Sequence, residues 1–219
     1  MQPSEPTRHT ITEQRAIVYK LLSDCYQSPD EYTMEKFQQA AELAADIFPE
    51  INLPEYPNGQ SEDIETRKVD HARLFVGPFS LLAPPYGSMY LDHTEHLMTD
   101  STEDVQNRYR EEGMDVAITE VPDHIRIELE FVYYLIFREM QIVTPNQESA
   151  GALDLTRTGM DYRIKQQKFL NDHLVRWIPK FEAKVREHAK TEFYKQLAAL
   201  TKIFILHDLN LLREESIVM

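Results

Sequence analysis

Apolar residues recur at intervals of three and four along most of this chain, and no segment shows the sustained alternation of a β-strand. This period is typical of helices that bury one face. The chain has only 6 glycines among 219 residues, and tight β-hairpin turns depend on glycine. The sequence therefore predicts an all-α protein and argues most strongly against a β-sandwich.

Capping residues and prolines set the predicted helix boundaries. Thr10 and Glu13 have capping-box spacing at the start of the first helix, and Pro49 and Pro145 end two others. Pro179 is expected to break a helix. The predicted helices cover residues 10–27, 33–48, 61–76, 101–113, 122–143, 162–177, 181–188 and 193–211.

These elements predict a single globular domain of seven to nine helices over residues 10–219, after a loose N-terminal arm at residues 1–9. The connectors at residues 49–60 and 145–156 are long enough to act as hinges for domain swapping. The sequence is therefore compatible with a monomer and with a domain-swapped dimer.

Charge and cysteine content exclude several classes of function. The chain has 23 Lys and Arg against 37 Asp and Glu, a net charge of −14, which would repel a nucleic acid. Its one cysteine, Cys25, rules out an intrachain disulfide and lies on the predicted apolar face of a helix. There is no apolar signal segment at the N-terminus, and no apolar run reaches the roughly 20 residues of a membrane span. We therefore expect a cytoplasmic protein without nucleic acid or a membrane span.

Three segments stand apart from the helical pattern. Residues 74–92 read LFVGPFSLLAPPYGSMYLD, which is too rich in proline for a long helix and too apolar for an ordinary loop. Residues 120–131 read EVPDHIRIELEF and lie in an acidic stretch, since residues 91–130 hold twelve acidic and three basic residues. Residues 169–181 combine Phe169, Leu170, His173, Trp177 and Phe181.

Together these segments, spread over about residues 65–185, resemble the TorD/DmsD/NarJ family of molybdoenzyme maturation chaperones. The first segment is most similar to the DmsD branch. The resemblance implies a TorD-like helical fold and a binding protein rather than an enzyme, with no cofactor of its own. It also implies that the chain binds the twin-arginine signal peptide and the apo-form of a molybdenum-containing oxidoreductase, and assists cofactor loading before export. Transient contact with molybdenum cofactor or guanine nucleotide is a further possible partnership of the family.

The residues themselves are compatible with this role. A guanidinium group pairs best with a carboxylate in a bidentate fork, and an apolar peptide run needs a groove lined by large side chains. The predicted peptide-binding residues are Phe75, Gly77, Pro78, Phe79, Pro84, Pro85, Tyr86, Ser88, Met89, Tyr90, Asp92, Glu120, Asp123, His124 and Glu128.

Structural alternatives stay open for several of these residues. Asp123 sits where an N-cap is expected, and His124 and Glu128 are four residues apart and can pair with each other. The aromatic residues can equally belong to the core.

Two other functions compete with the chaperone hypothesis. One is an assembly subunit that remains with a mature reductase. The other is a metal-dependent helical enzyme that uses His93 and His96, although their spacing lacks an identifiable third ligand. No GxSxG elbow or P-loop supports nucleophilic or nucleotide chemistry, and we expect neither a catalytic residue nor a bound metal.

Overall fold

The computed structural model describes residues 8–51, 62–77, 81–92, 98–115, 120–143 and 152–217. Within these ranges the chain is helical, and the β-type pairing is one isolated bridge between Tyr86 and His124. The helices are α1 (Arg8–Cys25), α2 (Thr33–Ile47), α3 (Ile64–His71), α4 (Ser88–Leu91), α5 (Asp100–Glu111), α6 (Ile125–Val143), α7 (Ala152–Phe169), α8 (Val175–His188) and α9 (Glu192–Ile217). The all-α prediction is confirmed.

Two π-helical turns interrupt the regular helices. Ala72–Val76 continues α3, and Leu170–Leu174 joins α7 to α8. The predicted break at Pro179 is wrong, because Pro179 lies inside α8 and the irregular turn comes several residues earlier. A proline inside a helix costs about 3 kcal/mol. Burial of a large apolar side chain contributes about 1.5–3 kcal/mol. Three such side chains are buried on the same helix, Trp177, Ile178 and Phe181, and together they offset that cost.

The helices pack around one described core. Helix α1 lies against α2 and α6, α6 packs on α7, and α8 packs on α9. Cys25 is fully buried in α1, and burial raises the pKa of its thiol to about 12. The thiol is therefore protonated at neutral pH, in agreement with the expected core position.

A buried ion pair joins the first helix to the last. Arg15 in α1 donates through Nε and Nη2 to the Asp208 carboxylate in α9, with 3.0 Å between Nη2 and Oδ2. The Tyr19 hydroxyl donates to the same carboxylate at 2.8 Å, and Arg15 also donates to Gln166 Oε1 of α7 at 2.9 Å. This network fixes α1, α7 and α9 relative to one another.

Among the helices that the structure describes, none is both long enough and apolar enough to cross a membrane.

Candidate functional site

Backbone hydrogen bonds bring the first two sequence motifs together. Besides the bridge between Tyr86 and His124, the Gly87 N–H donates to the Asp123 carbonyl at 2.9 Å. The Ile125 N–H donates to the Pro85 carbonyl at 2.8 Å. The proline-rich segment is thereby held against the start of α6, although 35 residues separate Ser88 from Asp123.

Asp123 faces the interior. Its Oδ2 accepts a hydrogen bond of 2.7 Å from the Ser88 N–H at the start of α4, and its Oδ1 is buried with no hydrogen-bond partner among the described residues. The carboxylate therefore caps α4, rather than α6 as the capping alternative supposed. Ser88 is also fully buried. In this arrangement both residues position the proline-rich segment and neither is open to solvent.

Glu128 links the third motif to the other two. This fully buried side chain of α6 places Oε1 2.7 Å from His173 Nε2 and accepts at Oε2 from Trp177 Nε1 at 3.1 Å. The suggested pair between His124 and Glu128 does not form, because His124 Nδ1 instead accepts from the Arg126 N–H at 3.1 Å. The three separated motifs therefore meet around one carboxylate.

Gly87 is required by this close approach. A Cβ atom at position 87 would lie 3.0 Å from His173 Nε2 and 3.1 Å from both Glu128 Oε1 and Trp177 Nε1. These atoms belong to a buried hydrogen-bonded cluster and have little room to move. A glycine at this position allows the proline-rich segment to lie directly on the Glu128 cluster.

Several other predicted site residues belong to the core. Tyr90 stacks on Trp177 with 5.7 Å between ring centroids, and Phe75 is buried beside Tyr26 and Phe181. The remaining members of the first motif are Pro85, which is buried, Pro84 and Met89, which are half-buried, and Gly77, which ends the first π turn at a φ of 28°. Pro78 and Phe79 lie outside the described residues.

Asp92 has a local structural role. Its carboxylate accepts from the Ser101 N–H at 3.1 Å and from the hydroxyls of Ser101 and Thr99. These contacts satisfy the N-terminus of α5 from outside the helix. The N-terminus of α5 is thus capped by a carboxylate nine residues before Ser101.

Glu120 differs from the other three predicted carboxylates because it is exposed, with 41% of its side chain accessible. It lines a cavity of about 540 Å³ whose walls include Tyr26, His71, Phe75, Tyr86 and His124. It also lines a second cavity of about 340 Å³, formed by Tyr109, Met114, Ile127, Phe131 and Tyr134. An accessible carboxylate therefore lies between two cavities that both have aromatic walls.

The second cavity carries negative charge, whereas the first is lined by the ion pair of Glu120 and Arg126 and by neutral rings. Burial, with a contribution from nearby Arg126, lowers the pKa of His124 to about 4, so this imidazole is uncharged at neutral pH. Asp115 and Glu130 join Glu120 at the second cavity. Such a surface suits a segment that combines cationic and apolar side chains.

Sequence reasoning identified Phe75, Tyr86, Glu120 and His124 in the first cavity but missed Tyr26, His71 and Arg126. Tyr26 follows α1, far in sequence from the motifs, and nothing local to it marks the site. His71 lies one helical turn before Phe75, with 5.4 Å between the ring centroids, and that spacing could have indicated it. Arg126 did carry a signal, because it lies four residues before Glu130 in α6, at the spacing of a helical ion pair.

Over the described part of the chain, no group of three or more His, Cys, Asp or Glu residues is arranged to hold a metal ion. His93 and His96, the pair on which the metal-enzyme alternative depended, lie outside the described residues.

The buried pair of Glu128 and His173 predicts a fall in stability above pH 6.5. Burial raises the pKa of Glu128 to about 7. Burial opposes protonation of His173, but the Glu128 carboxylate outweighs it and raises the pKa of His173 above 6.5. The unfolded chain loses the Glu128 proton near pH 4.5 and the folded protein only near 7, while folded His173 keeps its proton above 6.5. The free energy of unfolding therefore falls as pH rises from 4.5 through 7, by at most about 1.4 kcal/mol per pH unit for each proton, and both groups contribute above 6.5.

Urea denaturation at several pH values measures this slope. Glu128→Gln should flatten it, whereas Glu130→Gln, on the half-exposed side of the same helix, should leave it unchanged. His124 makes the free energy of unfolding rise with pH, but only below pH 6.5, because its pKa is lowered from 6.5 to about 4. Equal slopes above pH 6.5 in the wild type and Glu128→Gln would show that the pair does not control them.

A family model described as the nitrate reductase delta subunit matches residues 25–183 of the chain. The chain belongs to this family. The match spans all three sequence motifs and the cluster around Glu128 in which they meet. The predicted membership of the TorD/DmsD/NarJ family is confirmed.

Curated relatives named TorD and DmsD are both similar to this chain. The chaperone protein TorD of Aliivibrio fischeri is 27% identical over 223 residues, covering 94% of this chain and 97% of the relative. The Tat proofreading chaperone DmsD of Salmonella typhi is 29% identical over 133 residues, covering 60% of this chain and 54% of the relative. The chain is therefore a chaperone of this family and not an enzyme, as predicted, while closeness to the DmsD branch stays a prediction.

A solved structure has a similar fold. It is a putative redox enzyme maturation protein from Archaeoglobus fulgidus, with a TM-score of 0.51, 21% identity, and coverage of 94% of this chain and 99% of that one. This likeness supports the helical fold of the family over nearly the whole chain.

Proposed function

We propose that this chaperone binds the twin-arginine signal peptide of a molybdenum-containing oxidoreductase. It holds the apo-enzyme in the cytoplasm, assists cofactor loading, and releases the enzyme for export. The observation that carries the proposal is the position of Glu120, an exposed carboxylate shared by two cavities with aromatic walls. The family membership and the names of the relatives supply the class of client.

The chemistry of such a peptide matches the chemistry of the two cavities. Its arginines need accessible carboxylates in a planar, bidentate contact, and its apolar run needs a concave apolar surface. Glu120 supplies an accessible carboxylate, and the neutral rings of Tyr86 and His124 line the first cavity. Tyr109, Phe131 and Tyr134 supply aromatic walls for the second cavity.

Asp123 and Glu128 have a different part in this proposal from the one that the sequence indicated. Both are fully buried, so they support the peptide-binding surface instead of contacting the peptide. Asp123 holds the segment that carries Tyr86, and Glu128 fixes α6 against α8. Preorganised walls reduce the entropy that binding costs.

Calorimetric titration with a synthetic signal peptide tests the proposal. The peptide is taken from a molybdoenzyme encoded in the same genome, and the expected result is saturable binding of one peptide per chain. A peptide of the same composition in scrambled order serves as the control. Heats of mixing that are the same for both peptides would refute the proposed function.

A further inference from the structure

The guanidinium group of Arg126 lies between two exposed carboxylates. Its Nη2 donates to Glu120, and its Nη1 lies 3.5 Å from Glu130 Oε2. The carboxylates are 41% and 44% exposed, while the Arg126 side chain is only 20% exposed. An arginine of the protein itself therefore bridges two acidic side chains that an incoming cation can reach. Lys20 Nζ also lies 3.3 Å from Glu130 Oε1.

The other three carboxylates that the sequence predicted are less available to an incoming arginine. Asp123 and Glu128 are fully buried, and Asp92 is engaged with the N-terminus of α5. Glu120 lines both cavities, and Glu130 lines the second. Asp115 also lines the second cavity. An arginine that binds Glu120 or Glu130 has to share or replace the contacts that Arg126 makes.

The side chain of Arg126 can leave without disturbing the backbone. Its N–H donates to His124 Nδ1 at 3.1 Å, and its carbonyl accepts from Ser23 Oγ at 2.9 Å. These bonds hold the first turn of α6 whatever the guanidinium does. Ion pairs between partly exposed groups are worth only about 0–1 kcal/mol, so a ligand can exchange them at low cost.

Resting on the proposed function, we infer that Arg126 is an internal competitor of the client. It occupies the carboxylates Glu120 and Glu130 in the free chaperone, and an arginine of the twin-arginine signal displaces it on binding. The unbound site is thereby kept neutralised and closed to weaker cations. A lysine ammonium cannot reproduce the planar fork that pairs with carboxylates, so it displaces Arg126 less effectively. The competitor therefore lowers the affinity of both kinds of peptide by the same factor, and the preference for arginine comes from the carboxylates themselves.

Removing the competitor should strengthen binding. We expect Arg126→Gln to lower the Kd for the twin-arginine peptide about two- to tenfold, since two weak ion pairs no longer have to be exchanged. The ratio of affinities between this peptide and one with both arginines changed to lysine should stay unchanged, because Arg126 reduces the competent fraction of the site equally for both peptides. Arg126→Lys keeps the charge without the fork, and its affinity should lie between those of the wild type and Arg126→Gln.

Arg108→Gln is the matched control. Arg108 is partly buried, pairs with Asp104 in 2.9 Å contact, and lines neither cavity, but its loss changes the net charge by the same amount. It should change the Kd by less than twofold. Thermal unfolding of each variant establishes that it is folded before titration.

The outcomes separate this inference from the proposed function. Tighter binding in Arg126→Gln than in the wild type and in Arg108→Gln supports the competitor. Binding by the wild type that is unchanged or weaker in Arg126→Gln refutes the competitor and leaves the proposed function standing. No binding by the wild type or by either Arg126 variant refutes both.

Discussion

Asp208→Ala should lower the free energy of unfolding by about 3–5 kcal/mol, the largest stability effect expected of a single substitution here. It leaves the Arg15 guanidinium, 1% exposed, without its carboxylate and removes the acceptor of the Tyr19 hydroxyl. An unpaired buried charge is far more costly than a lost surface contact. Because α1, α7 and α9 meet at this network, equilibrium denaturation in urea should show the loss as a lower midpoint.

Asp172→Ala is the control for this prediction. Asp172 is exposed and lies 3.8 Å from Arg108. Its substitution by alanine therefore also removes a carboxylate beside an arginine. The expected loss is below about 1 kcal/mol, as for other surface ion pairs. If the two variants lost similar amounts, the Arg15 and Asp208 pair would not hold the helices together as described.

Glu120→Lys should weaken binding of the twin-arginine peptide at least about tenfold, the largest effect expected on binding. The substitution replaces the accessible carboxylate between the two cavities with a cation. A charge-assisted hydrogen bond contributes about 1.5–3 kcal/mol, and the new ammonium also repels the arginines of the peptide. Titration calorimetry measures the change, and the melting temperature should stay close to that of the wild type because Glu120 is exposed.

Glu187→Lys controls for the change in net charge. Glu187 is 70% exposed on α8, and it lines neither cavity. Its reversal alters long-range attraction of a cationic peptide as much as Glu120→Lys does. Equal weakening in both variants would mean that overall charge, rather than contact at Glu120, governs the affinity.

The helical architecture was predictable because it depends on local patterns. The apolar stripe of α1, with Val18, Leu22 and Cys25 buried, follows from spacing alone. The π turn at Leu170–Leu174 was not predictable, because its hydrogen-bond register depends on packing between α7 and α8 and not on any local signal. The predicted break at Pro179 was wrong for the same reason. Local propensity favours a break at a proline, but burial of the neighbouring side chains keeps the helix continuous.

The motifs of the candidate site were predictable, but the roles of their residues were not. Asp123 and Glu128 are acidic residues in an acidic stretch, so sequence reasoning took them for surface ligands. Their partners, the Ser88 N–H and the His173 and Trp177 side chains, lie 35, 45 and 49 residues away. Such long-range partners decide whether a carboxylate is buried or accessible, and no spacing within a motif reveals them.

The most direct test of peptide recognition compares two signal peptides on the wild-type protein by calorimetry. One carries both arginines and the other carries lysines in their place, so charge is constant and only the planar fork is lost. We predict saturable binding of the arginine peptide and at least about fivefold weaker binding of the lysine peptide, because lysine keeps the charge but cannot form the second parallel hydrogen bond of a bidentate pair. Equal affinities, or no binding of either peptide, would contradict recognition of the twin-arginine signal by the carboxylate between the two cavities.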